Sequence, residues 1–457
     1  MSKNTCESHK KLNFWDCMGF CIGQIIGSGI MVLTGIVIGF TGHGTPLAFV
    51  LAAVLAIATM MPFTILASTL PANGAGYTYI KRLIGNKFGF FYLCAFVLTQ
   101  VLIATFAKGF ASYFVAIFPQ FNETFVAMAA LVIAVLVNLI GLKTSAIVQK
   151  IMVIFLLFSL GLFIAFGLPQ VHWSELALTK ANIMPNGLKS FLTGVALLSF
   201  ATGGAKFVAE NGDEIENPSK NIPKAMISST LLVAVFYALI GVVASGVLPV
   251  DEVGFQNLTL VAQRIFPTSV YLFFVIGGAM FALMTTLNGT LSWVTRGLQV
   301  ASKEGWLPEI FAKENKGGTP VLLLGIFFVI GAIPILTGMN TETIANMGVG
   351  LDMLTEFAVL IACFRLPKLF PKEYAAATFR FKEKTLYCML SVIGVLMLGT
   401  SYVNLSDLSM PIYIAIAVYL VAIYILTQVR YKYFVKKQDE LNSTGHIIKD
   451  HEKSVTL

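Results

Sequence analysis

The chain has 457 residues, of which 57% are hydrophobic and only 12% charged, and its mean hydropathy is +0.81. A soluble globular protein carries roughly 45–50% apolar and about 25% charged residues and needs the polar part to cover its surface. The composition therefore excludes a cytosolic enzyme, a disordered chain and a secreted disulfide scaffold, and the formal net charge of +8 points to basic loops that orient a membrane protein rather than to nucleic acid.

Met1 to Leu12 is polar and holds Lys3, Lys10 and Lys11. The apolar stretch that follows is longer than a signal-peptide core and no small-residue cleavage site closes it, so it is expected to remain as the first span. With roughly 20 residues per crossing, the hydrophobic runs predict an all-α polytopic protein of twelve transmembrane helices. The first six cover about 13–41, 46–69, 88–118, 124–141, 146–168 and 188–212. The second six cover about 225–248, 268–292, 320–338, 342–364, 385–404 and 409–429. With the N-terminus inside, 26 of the 31 Lys and Arg residues fall in inside loops and tails, and only Lys180, Lys189 and Arg264 fall outside. Both termini are therefore expected in the cytoplasm. Lys108 and Lys206 lie within spans three and six. The six cysteines have neither zinc-finger nor paired extracellular spacing and read as small buried hydrophobes. Residues 430–457 read as a flexible cytoplasmic tail, and residues 1–12 as a shorter one.

Two spans look interrupted. The first contains Ile26-Gly27-Ser28-Gly29-Ile30, and the sixth contains Phe200-Ala201-Thr202-Gly203-Gly204. A helix-interior glycine costs about 1 kcal/mol against alanine, so paired glycines invite unwinding. Freed backbone groups are tolerated at membrane depth only where protein or a cavity satisfies them. Broken helices at corresponding places in two halves point to a transporter's midplane site. The breaks lie five spans apart, and an odd offset inverts one half relative to the other. This fits an inverted five-plus-five repeat, with repeat one near 13–168, repeat two near 188–364 and two extra helices near 385–429. Backbone N–H groups at a half-helix N-terminus suit a carboxylate, and free carbonyls at the opposite end suit an ammonium. Close packing of small residues is the competing explanation.

Gly27-Ser28-Gly29-Ile30 resembles the first-span signature of the amino acid–polyamine–organocation superfamily of permeases. Pro71 to Tyr79 with Gly85 and Gly89, Glu214 to Pro218 with Ile222 to Ala225, and Arg296 with Lys303 to Pro308 are similar to its loops after spans two, six and eight. The resemblance implies a permease domain over 13–429 and alternating access around a site between spans one and six. It implies substrate binding by Gly27, Ser28, Gly29 and Ile30 and by Phe200, Ala201, Thr202, Gly203 and Gly204. The first set would hold the carboxylate and the second the amino group, with the Phe200 ring as a lid. Many exchangers of this superfamily carry a lysine seven residues after a Val-Gln pair in span five. Here Val148-Gln149 is followed in that register by Leu156, so the chain departs from that pattern.

Other charges stand within the spans and are candidates for coupling or gating: Lys108, Lys206, Asp352 and Glu356, with Glu214 near the inner gate by resemblance. Asp352 and Glu356 are four apart and share a helix face. Charge at that depth is costly and faces a cavity or a partner. Three readings of the acids stand side by side: ion pairs with Lys108 or Lys206, a proton relay, or recognition of a cationic substrate. Glu210, Asp213 and Glu216 read as a solvated helix end, and Thr285 and Thr286 as packing residues in span eight. Nothing points to an enzyme, a cofactor, a metal or nucleic acid: the five histidines do not cluster, and neither a Walker motif nor a dinucleotide fingerprint occurs. The expectation is a secondary transporter of an amino acid in the cell membrane's lipid bilayer, with proton symport first. Exchange, or transport of a polyamine or cationic amine, is the alternative.

Overall fold

The computed structural model describes residues 12–454 apart from Ser28, Gly141, Leu178, Asn211, Asp213, Glu214, Lys316, Gly317 and Asp407. In chain order the helices of the first half are α1 (Phe14–Ile25), α2 (Thr34–Thr41), α3 (Thr45–Thr69), α4 (Ala75–Leu83), α5 (Asn86–Thr99), α6 (Ile103–Ile117), α7 (Glu123–Ile140) and α8 (Leu142–Gly167). The short α9 (Lys180–Ile183) leads to α10 (Gly187–Thr202) and α11 (Pro218–Gly246). Then come α12 (Val250–Val253), α13 (Thr259–Ile265), α14 (Thr268–Phe273), α15 (Phe281–Trp293) and α16 (Arg296–Lys303). The last are α17 (Val321–Leu336), α18 (Thr341–Leu369), α19 (Pro371–Ala376), α20 (Glu383–Leu405) and α21 (Met410–Ser454). Among the described residues the only β-type pairing is an isolated bridge between Leu12 and Ile215.

Ten segments are long and apolar enough to cross a membrane among the described residues. One of them, Phe14–Thr69, covers the first two expected spans together, and the ninth expected span is the shorter helix Val321–Leu336. Burial orders the bundle. In Gly187–Glu210, 82% of the most apolar window is buried, against 11% in Met410–Lys436, so the sixth expected span is central and the last is peripheral. Leu232 and Val235 on α11, Val395 on α20 and Val418 on α21 are exposed, which is what a lipid-facing surface requires.

Local chemistry sets the ends. Asn13 caps α1 by accepting the Asp16 N–H at 3.0 Å, and Asp16 accepts the Asn13 N–H at 3.2 Å, a reciprocal capping box. Pro218 starts α11 at a position where its missing N–H is harmless. Gly74, ahead of α4, has a φ of +62°, which glycine adopts without penalty.

α21 continues through the segment read as a tail, to Ser454. Its first turns past the apolar window are anchored. Trp306, fully buried, stacks between Phe90 and Phe434 with centroids 4.5 Å away on each side. The Arg430 guanidinium donates to the Trp306 carbonyl at 2.6 Å. Trp306→Ala is expected to cost about 3–5 kcal/mol, the usual range for a buried tryptophan, read as a lower thermal midpoint in detergent. Four cysteines, Cys17, Cys21, Cys94 and Cys363, are buried as expected, whereas Cys388 is exposed.

Candidate functional site

The first break is where the glycines place it. α1 ends at Ile25, Ile26 turns to an extended conformation with ψ of 91°, and Gly29–Leu33 winds as a wide π turn before α2 resumes the α-helix. The sixth span behaves differently from the expectation. α10 runs without interruption through Thr202 and then tightens into a 3-10 helix over Gly203–Glu210. The change is one of winding rather than of unwinding, and small residues at 203–205 permit it. A mid-helix 3-10 stretch of this kind often marks a hinge.

The two altered stretches touch each other. A Cβ added at Gly29 would lie 2.3 Å from the Ala201 Cβ, and one at Gly204 would lie 2.4 Å from the Gln24 carbonyl oxygen. One added at Gly27 would lie 1.9 Å from the Thr286 Oγ1 on α15. Close packing therefore accounts for the absence of side chains at these three positions. A second property sets them apart: Gly27, Gly29, Ala201, Gly203 and Gly204 all line one cavity, whose empty space counted to its open mouth is about 750 Å³. Gly203 itself meets open space.

Ile30 and Thr202, expected with them, do not line that cavity. Ile30 is fully buried in the core. The Thr202 hydroxyl lies 3.0 Å from the Leu198 carbonyl and 3.4 Å from the Ala52 carbonyl, and so faces α3. Threonine in a helix commonly turns its hydroxyl to a carbonyl one turn back. Ser28, Glu214 and the Phe200 side chain lie outside the described residues.

The intramembrane charges are sorted by the fold. The Lys206 ammonium lies 2.6 Å from the Asp352 Oδ2 and also pairs with Glu356. The three are 6%, 4% and 3% exposed respectively, and all three line the central cavity. Lys206 comes from the 3-10 stretch, while both acids come from one face of α18, so the group ties the tightened helix to its neighbour. Lys108 is not part of it. Its ammonium donates to the Met339 carbonyl and lines a separate cavity with Glu123 and Glu342. Of the two lysines, only Lys206 meets the acids. Leu156, in the register where related exchangers carry lysine, is buried in the core.

One lysine between two carboxylates leaves a charge imbalance at membrane depth. Isolated buried charge is penalised by several kcal/mol. Counted by formal charge, the group is one positive charge short of neutral.

Two rings line the same cavity. Phe207 and Trp293 stack with centroids 4.0 Å apart and an interplanar angle of 20°. Further along, Glu210 does not end in solvent as expected. Its carboxylate accepts the Gly76 N–H at 3.3 Å, and its carbonyl accepts the Gly74 N–H at 3.1 Å. α4 in turn reaches Glu304, which accepts the Tyr77 hydroxyl at 2.5 Å and pairs with Lys81. Burial first, and the Glu304 carboxylate second, push the Tyr77 phenol well above the usual tyrosine range, so Tyr77 remains a donor at any physiological pH. Thr285 and Thr286 both turn their hydroxyls to the Ala282 carbonyl, at 2.8 and 3.0 Å, in keeping with the packing role expected of them.

Sequence reasoning missed Gln24, Phe207, Glu210 and Trp293. Gln24 carried a usable signal, since it stands three residues before Gly27, in the turn that leads into the break.

Comparison with known proteins identifies relatives of the chain. The profile of the family described as "Amino acid permease" matches residues 12–429. The chain is 27% identical to the branched-chain amino acid permease of Bacillus subtilis, over 71% of this chain and 74% of that one. It is 26% identical to the lysine-specific permease of Lactococcus lactis (78% and 74% covered) and 26% identical to the methylthioribose transporter of B. subtilis (80% and 83% covered). These relatives are membrane permeases rather than enzymes. A profile match over nearly the whole helical bundle, with altered helices one and six meeting at one cavity, shows that this multi-pass membrane protein belongs to the amino acid permease family.

Proposed function

We propose that this protein is a secondary active transporter that moves an amino acid across the cell membrane by alternating access, coupled to proton symport. The proposal includes twelve crossings in two inverted five-helix repeats plus two helices, with both termini in the cytoplasm. The strong bias of Lys and Arg to one set of loops supports that orientation.

One observation carries the reading: the Lys206–Asp352–Glu356 group lines the same cavity as the backbone at Gly27, Gly29, Gly203 and Gly204. Backbone groups there suit the two charges of an amino acid. Protonating one acid weakens the tie between the 3-10 stretch and α18, which links proton uptake to movement of the gate helix. Glu214 and Lys108 remain candidate gating residues, at the inner end of span six and in the second cavity.

The charge imbalance also favours a second reading, transport of a cationic amino acid or amine whose positive group reaches the acids. A competition screen of the twenty common amino acids and simple amines in proteoliposomes separates the two. Neutral amino acids that compete at micromolar to millimolar levels are expected. Competition by amines and cationic amino acids alone supports the second reading, and no competition by any amino acid rejects both.

A further inference from the structure

We infer that Gln24 is a specificity-determining residue whose side-chain amide donates a hydrogen bond to a carboxylate or carbonyl oxygen of the substrate. The inference rests on the reading of the central cavity as an amino acid site.

Gln24 sits in the last turn of α1, is 6% exposed and lines the central cavity. Its Oε1 accepts the indole N–H of Trp293 at 3.1 Å. An indole nitrogen is a donor only, so it must face the amide oxygen and never the amide nitrogen. That contact fixes which way the amide points. Its NH2 end is then buried with no hydrogen-bond partner among the described residues.

Five other neutral polar side chains of the cavity are occupied. Thr59, Thr99, Ser199 and Thr286 donate to carbonyls of their own helices at 3.2, 2.8, 2.7 and 3.0 Å. The Gln100 amide donates to the Phe96 carbonyl at 3.3 Å. Gln24 differs in holding an oriented donor for which the protein supplies no acceptor. Buried donors are almost always paired, and a ligand oxygen completes this one.

Trp293 makes the arrangement rigid. Its ring stacks on Phe207, next to Lys206, while its N–H holds Gln24. Span eight thereby sets a side chain of span one against the tightened part of span six. A site with a buried donor of this kind rejects ligands that lack the matching acceptor far more strongly than an apolar pocket rejects a methylene.

Gln24→Glu tests the inference in the full chain reconstituted in liposomes. Glutamate keeps the shape and the acceptor for Trp293 but replaces the donor with a carboxylate oxygen. KM for amino acid uptake is expected to rise at least about tenfold, the change expected from losing one buried hydrogen bond to a charged group. The maximal rate should stay within about twofold to threefold, and the tryptophan fluorescence should stay unchanged. Trp293→Phe keeps a ring on Phe207 but frees the amide to rotate, and should give an intermediate KM. Two sources of oxygen are separated by the panel used. If the α-carboxylate is read, KM rises for all amino acids and inhibition by their decarboxylated amines is unchanged. If a side-chain oxygen is read, the rise is confined to substrates that carry one. A KM for Gln24→Glu within twofold of wild type for every substrate overturns the inference. Failure of the wild-type protein to take up any amino acid overturns instead the reading on which it rests.

Discussion

Gly27→Ala is expected to reduce amino acid uptake by about 5- to 150-fold while the protein still inserts and purifies. The added Cβ would lie 1.9 Å from the Thr286 Oγ1 and 2.7 Å from its Cβ, distances at which one helix must move. Overpacking of this kind costs typically about 1–3 kcal/mol, and each 1.4 kcal/mol is tenfold in an equilibrium. The displacement falls on the stretch between α1 and the π turn at Gly29, where backbone groups line the cavity. Gly27→Leu, which carries a larger side chain into the same place, should abolish binding altogether. A second substitution distinguishes a lost site from a lost fold. Thr286→Gly removes the atoms that the new Cβ meets, so Gly27→Ala/Thr286→Gly should regain much of the uptake. Ligand-dependent thermal stabilisation of each purified variant reads binding apart from transport. Wild-type uptake by Gly27→Leu would defeat the assignment of this cavity as the site.

Lys206→Met is expected to damage both stability and transport. It leaves Asp352 and Glu356, each under 5% exposed, facing each other without their shared cation. Removing one partner of a buried ion pair costs about 3–5 kcal/mol, and the bilayer makes stray charge costlier still. Loss of transport and a marked fall in thermal midpoint are both expected. Neutralising the whole group, as Lys206→Met/Asp352→Asn/Glu356→Gln, should return most of the stability, since no unpaired charge remains. Under the proposed symport it should not return active accumulation, because the group proposed to take up the proton is gone. Recovery of uphill transport by the neutral triple variant would separate the charged group from coupling.

Much of this was legible in the sequence because membranes permit few solutions. Apolar runs of span length, basic residues gathered in alternate loops and glycine pairs in spans one and six are local signals that can be read without the fold. Lys206, Asp352 and Glu356 were conspicuous because so few charges occur inside the spans. Their pairing was not legible: Lys206 and Lys108 look alike in sequence, and only the packing of the 3-10 stretch on α18 brings one of them to the acids. The form of the sixth-span change was hidden for a similar reason. Gly203-Gly204 announces weak helix but not whether the chain opens or tightens, and contact with Gln24 decides that. Gln24, Phe207 and Trp293 escaped notice, and Glu210 read as a solvated helix end, because a neutral amide, an aromatic or a span-end acid is common in such helices. Their meaning arises from contacts between residues far apart in the chain, as with Trp293 and Gln24.

Under the proposed symport, the buried Lys206 group would carry the charge that the span-five register lacks at Leu156. The most direct test is the lumenal pH of proteoliposomes loaded with a pH dye, recorded as substrate is added outside in the absence of internal substrate. Acidification that accompanies uptake in the wild type, and its loss in Glu356→Gln or Asp352→Asn, is the result expected. Uptake that strictly requires internal substrate and leaves the lumenal pH unchanged would contradict proton symport and establish exchange.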